Sequence, residues 1–259
     1  MLKNKSVTAS AQFHLNMGFA YTKEDYRTVV NVVNYYGDHL FPGHASDAMA
    51  EVIFYDEEGV HCFTRHARLR PFGSLHVDIG ATLGDAGIPR AAMGAVYARL
   101  VPERVPPALV GKRVSTEFTV EITRSGGHGG DFFHNTLSQS RIPRISHATS
   151  GILFAGANTV PRYIILVNNY FGPWLPVFGM GYAHIDIVNH RGERRSARTE
   201  LVPSRGMRRF SLHDAFPDLE VFLDSRAARL EFHCANLLRK PWIWFEAVGG
   251  VRAFCIEHF

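Results

Sequence analysis

The chain is poor in cysteine. Three are present, Cys62, Cys234 and Cys255, each in an apolar strand-like run and with no CxxC spacing. An odd number so placed argues against a disulfide framework or a zinc knuckle, and points to a reducing compartment such as the cytoplasm. Long apolar runs are also missing. The longest, such as Tyr163 to Val167, are strand length and far short of a membrane span. The opening MLKNKSVTASAQFHLNMGF carries lysines but no apolar run long enough for a signal peptide. No segment shows a long helical period. There is no GxSxG, no GxxxxGK[ST] and no strand-linked GxGxxG, so nucleophilic and nucleotide chemistry have little support. No His-x-His occurs, and His61 and His66, five apart, fall on opposite faces of an ideal strand. That removes the metal set of a standard bicupin, the obvious enzyme of similar length.

What is present is globular. Hydrophobic residues make up 46% of the 259 and charged residues 20%, enough to build a core and too apolar for disorder. The length fits two ordinary domains or one large barrel. Net charge is +4, with arginine well ahead of lysine, a mild bias toward anionic partners. Fourteen histidines are available as ligands, bases or polar edges of a core.

The chain also matches itself. Residues 12–37 and 147–172, aligned without gaps, agree at Phe19/Phe154, Ala20/Ala155, Arg27/Arg162, Val32/Val167, Asn34/Asn169, Tyr35/Tyr170 and Gly37/Gly172. Ordinary composition would give roughly one or two such identities. Further matches follow in order: Ala50, Gly59, Arg65 and Gly73 with Ala183, Gly192, Arg198 and Gly206, then Gly126-Gly127 with Gly249-Gly250. Each copy reads as short strands separated by glycine and proline turns. In STEFTVEIT, Phe118, Val120 and Ile122 alternate with Thr119, Glu121 and Thr123, the period of a half-buried strand. The expected fold is all-β: two tandem β-sandwich domains arising from internal duplication, at 1–136 and 147–259, joined by a polar linker at 137–146.

The element order in each copy resembles the sensory rhodopsin transducer family. The features that carry it are VVNVVNYYG, AEVIFYDEEG, PFGSLHVDI and IPRAAMGAVYARLVP in the first copy. In the second they are ILVNNYFG, AHIDIVNHRG, LVPSRGMRRFSL and ARLEFHCAN. The resemblance implies a compact, oligomeric β-sandwich that acts by binding.

Several groups could carry chemistry. In RSGGHGGDFFHN, four glycines surround His128 and let the backbone approach a ligand closely. His128, Asp131 and His134, with His147 and His44, could ligate a divalent transition metal. An arginine-rich stretch at 191–210 holds Arg194 and Arg198 on one face of a hairpin, fit for phosphate, sulfate or carboxylate groups. Trp242 and Trp244, two apart on one strand face, could stack on a sugar or a partner protein, or fill an interface. The reading is a non-catalytic binding protein whose ligand is a small anion, a saccharide or a protein partner. Exposed sheet edges allow a homo-oligomer. The rival is a metal-dependent His/Asp enzyme on a small carbohydrate-derived substrate. Nucleic-acid binding through the arginine hairpin is the third reading. No membrane partner is expected.

Overall fold

The structure, a computed structural model, describes residues 11–22, 25–88, 93–116, 118–124, 130–134, 136–137, 147–154, 159–168, 180–235, 237, 241–247 and 254–258. The first half runs β1 (Gln12–His14), β2 (Asn16–Tyr21), β3 (Tyr26–Val33), β4 (Ala48–Asp56), β5 (His61–Leu69), β6 (Ser74–Asp78), α1 (Ile79–Asp85), β7 (Met93–Pro102), β8 (Arg113–Ser115), β9 (Phe118–Arg124), β10 (Gly130–His134) and β11 (Thr136–Leu137). The second runs β12 (His147–Phe154), β13 (Thr159–Val167), β14 (Tyr182–Val188), β15 (Arg194–Arg198), β16 (Met207–Ser211), α2 (Leu212–Ala215), α3 (Leu219–Leu223), β17 (Ala227–Ala235), β18 (Trp242–Ala247) and β19 (Phe254–His258). The all-β expectation holds. Three short helices were not legible, because helices of four to seven residues are too short to show a period. Asp78 caps α1 by accepting from the Ala81 N–H, and Ser211 caps α2 by accepting from the Asp214 N–H. Leu137, expected in the linker, belongs to β11, which pairs with β2. No helix among the described residues is long and apolar enough to cross a membrane.

Among the described residues four larger sheets form, besides a two-stranded β1-β8 pair. Sheet 1 is β10-β9-β3-β6 and sheet 2 is β11-β2-β7-β4-β5. Sheet 3 is β16-β13-β18-β19 and sheet 4 is β12-β17-β14-β15. The two halves share an order: β2-β7-β4-β5 and β12-β17-β14-β15 occupy corresponding places, as do β10-β9-β3-β6 and β19-β18-β13-β16. Local chemistry corresponds too. In the β4–β5 turn the Asp56 carboxylate accepts the N–H groups of Glu58 and Val60, and in the β14–β15 turn the Asn189 side-chain oxygen accepts those of Arg191 and Glu193. Gly59 and Gly192 follow at φ +77° and +81°, a region that favours glycine. Asn34 donates through Nδ2 to the Leu69 carbonyl and Asn168 donates to that of Val202. Asn168 therefore bonds in the same way as Asn34. Identities in a strand can slide by a residue, but register cannot without exchanging faces.

Sheet 2 is covered on both sides along β2 and most of β7. Every residue of β2 is buried, as are the first six of β7. One face packs on sheet 1. The other meets sheet 3, whose central strands alternate between two cores. Ile165, Val167, Trp242 and Trp244 join the core of the first half, while Ile164, Leu166, Ile243 and Phe245 join the core shared with sheet 4. The seam between sheets 2 and 3 is aromatic: Trp242 lies 5.2 Å from Phe19, and Trp244 lies 5.2 Å from Tyr21 and 5.4 Å from Tyr26, between ring centroids. A second contact locks the seam. Arg208 donates to the Glu57 carbonyl and pairs with Glu58, and the Met207 N–H donates to the Glu57 carbonyl.

The corresponding positions at the two outer surfaces hold polar residues. The register that pairs Ile165 with Trp242 and Arg209 pairs Asn31 with Thr119 and His76 in sheet 1. Likewise Ile53 and Tyr97, paired on the seam face of sheet 2, correspond to Asp186 and Glu231 on the outside of sheet 4.

Burial pushes the Tyr26 phenol up to about 12, with Arg124 acting against it and Glu246, Tyr21 and Asp25 adding to it. Burial pushes Tyr36 and Tyr97 up as well. The folded state thus holds these protons more tightly than the unfolded chain. The stabilisation is complete below the unfolded value of about 10 and, for Tyr26, is lost as pH rises from there to about 12. Urea midpoints should fall over that window. Phenolate absorbance should rise together with loss of the β-sheet circular dichroism; full ionisation ahead of unfolding would contradict it.

Candidate ligand pocket beside the seam

Beyond Trp244, the seam face of sheet 3 runs past the cover of sheet 2 and opens into a cavity of about 350 Å³. Its walls come from three adjacent strands and the helix that follows β16: Arg162 and Tyr163, Arg209 and Ser211, Glu246, then His213 and Asp214. Tyr163 lies opposite both Ser211 and Trp244 in the ladder, which is why residues so far apart in sequence meet. Register shifts between Pro161 and Tyr163, and Arg162 lies in that bulge. Bulges redirect side chains, and proline, lacking an N–H, is tolerated there.

Arg209 is the most constrained group in the wall. Its guanidinium carbon lies 4.2 Å from the centroid of the Tyr163 ring and 5.4 Å from that of Tyr21. One of its nitrogens donates to the Tyr21 hydroxyl at 2.7 Å. Two aromatic rings and a hydrogen bond hold the fork in place. Among the described residues no carboxylate pairs with it. Arg162, in contrast, faces Glu246 at 3.7 Å. The pocket can therefore offer a pre-oriented cation with N–H groups to spare, flanked by the hydroxyl, imidazole and carboxylate groups of Ser211, His213 and Asp214.

The residues singled out from sequence fall elsewhere. Trp242 and Trp244 are 0% and 2% exposed. They were candidates for stacking on a ligand, and the seam corrects this, because both faces of each ring are enclosed by protein. Arg194 and Arg198 do lie on the exposed outer face of sheet 4. Arg194 bridges Asp186 at 2.6 Å and Glu231 at 3.2 Å, and Arg198 lies over the Tyr182 ring. The arginine-rich stretch is thus divided: Arg194 and Arg198 face outward, Arg208 locks the seam and Arg209 enters the pocket.

Of the five proposed metal ligands, four fall on described residues. His128 lies outside the described residues. Asp131 and His134 pair with Ile122 and Thr119 along β10. His147 pairs with Cys234 at the edge of sheet 4, and His44 is exposed in the loop after β3. Sequence reasoning missed a different set. Asp186, Glu231 and His233 have ligand atoms within 4.8 Å of one another on the outer face of sheet 4. The alternation in LEFH, which places Glu231 and His233 on one face, was the available signal. Arg194 and Arg229 pair with these carboxylates. Burial works to raise the Asp186 carboxyl, but hydrogen bonds from Ser196 and Arg194 and the nearby Arg194 charge outweigh it and hold the group below its usual range. The carboxylates are already compensated, so this cluster is better read as an ion-pair network than as a cation site.

No family model matches the chain, and no curated protein matches it. Among solved structures, it is similar to a protein assigned as a beta-galactosidase from Bacteroides fragilis, at 10% identity and a TM-score of 0.23, covering 98% of this chain and 34% of that one. It is also similar to a glycosyl hydrolase family 2 member from Bacteroides cellulosilyticus, at 9% identity and a TM-score of 0.19, covering 95% and 28%. A third is a Bifidobacterium dentium beta-glucuronidase complexed with coumarin-3-O-glucuronide, at 10% identity and a TM-score of 0.19, covering 96% and 40%. The chain spans about a third of the length of the first of these proteins. Likeness at this level carries no functional argument.

Proposed function

We propose that this chain is a non-catalytic binding protein that takes a small anionic ligand in the pocket beside the seam. The supporting observation is Arg209, clamped between Tyr21 and Tyr163 and without a carboxylate partner among the described residues. An anion bridging Arg209 and the neighbouring Ser211 and His213 would gain charge-assisted hydrogen bonds at little ordering cost, because the fork is already fixed. This keeps the binding-type role that the transducer resemblance implies. Matched strand order and matched turns further support a tandem duplication, with one copy supplying the pocket strands and the other the Tyr21 clamp.

The test is calorimetric titration with inorganic phosphate, acetate and glucuronate, with glucose as the neutral control. Arg209→Gln should weaken anion binding by roughly 10–100-fold, the worth of a hydrogen bond to a charged group. The Arg194→Ala/Arg198→Ala double variant should bind as the parent does. Wild-type affinity in Arg209→Gln, or equal affinity for glucose, would remove the proposal. Loss confined to the double variant would move the site to the face of sheet 4.

A further inference from the structure

A second, smaller cavity of about 200 Å³ adjoins the first and shares Arg162 and His213 in its walls. Its character differs. Pro161, Pro217, Leu219, Val221 and Leu223 supply most of the lining. Leu219 and Leu223 are anchored in the core of the second half, so the floor is firm. Val221, at 80% exposure, is the most exposed of the large apolar residues among those described. An apolar side chain so open, beside an apolar recess, is surface that a ligand could cover. Carboxylates edge both recesses, Asp218 and Glu220 here and Asp214 and Glu246 there, and Asp218 is paired with Arg195 at 2.6 Å; what the smaller recess lacks is Arg209, which lines only the larger one. The two chambers thus sort the ends of a molecule, with charge directed to Arg209 and hydrocarbon to α3.

Resting on the anion-binding reading above, we infer that the ligand is an anionic amphiphile. Its carboxylate or phosphate head sits in the larger chamber, and its short alkyl, acyl or aryl tail passes Arg162 and His213 into the smaller one. Small-molecule sites commonly combine a few placed polar groups with an apolar wall, and here the two are spatially separated.

The experiment uses the full chain and two series: ethyl, butyl, hexyl and octyl phosphate, and the straight-chain carboxylates of the same lengths. Affinity should rise about threefold to fourfold per added methylene, the yield of burying a CH₂ group, and level off once the smaller chamber is filled. Binding by one series and not the other would identify the head group and support the inference. Val221→Asp lies on an exposed position, so the fold should tolerate it. It should flatten the dependence on chain length. A nuclear Overhauser contact between the terminal methyl of the probe and Val221 would locate the tail independently. Affinity that depends on Arg209 but not on chain length would overturn the amphiphile and leave the anion site standing. Chain-length dependence that survives Val221→Asp, with no contact to Val221, would place the tail elsewhere and equally overturn it. Absence of binding by every member of both series would remove the anion site together with this inference.

Discussion

Trp242→Ala should lower the free energy of unfolding by about 3–5 kcal/mol, the range for truncating a buried aromatic. Trp242 is fully buried. It opens β18, opposite Ile165, and its ring meets Phe19 across the seam. The cavity would open between two sheets of different halves, each fixed by its own hydrogen-bond ladder, so collapse around it is restricted. Urea unfolding followed by circular dichroism would measure the loss. Because β2 and most of β7 are buried on both faces, the two halves should unfold together in the parent. A loss below about 1 kcal/mol would mean that the seam packs as a surface contact and not as a core, against the usual cost of such truncations.

The second large effect is expected at Gly59, where the chain contains its own control. Gly59 and Gly192 occupy corresponding turns with nearly equal positive φ. Alanine at either carries the strain of the left-handed region, about 1–2 kcal/mol. At Gly192 a Cβ would meet nothing within 4 Å. At Gly59 it would collide with the Ser204 carbonyl oxygen, in the turn whose neighbours Met207 and Arg208 bond the Glu57 carbonyl. Relieving that clash means shifting backbone on one side of the seam, an overpacking cost of about 1–3 kcal/mol more. Gly59→Ala should therefore exceed Gly192→Ala by that margin in chemical denaturation. Equal costs would show that the turn moves away freely.

Much of the architecture was legible because strand alternation and turn glycines are local. Gly59 and Gly192 each marked a turn of left-handed backbone, since such geometry admits few residues. Asn34 matched Asn169 by identity, whereas the like hydrogen bond is made by Asn168, because such bonding is decided by a partner strand and not by identity. The Trp242/Trp244 pair was correctly placed on one face, but whether that face met solvent or protein depended on sheet 2, more than a hundred residues away in the chain. The pocket was the least legible part. Arg162, Arg209 and Glu246 become neighbours only through the ladder order β16-β13-β18. Arg209 lay in an arginine-rich stretch, and nothing local separates it from Arg208, which does something else.

The seam joins unlike surfaces, the Phe19 face of one sandwich against the Trp242 face of the next. A contact of that kind is heterologous and does not close on itself, so in principle it could add units without end. Here its two free ends are blocked. Where a further sandwich would need tryptophan and isoleucine, sheet 1 presents Thr119 and Asn31; where it would need Tyr97 and Ile53, sheet 4 presents Glu231 and Asp186. Any added unit would have to strip water from those rows of polar and charged groups. The aromatic stacking that binds the two halves is thus confined to a single joint, and head-to-tail growth into a fibre is opposed at both ends of the molecule.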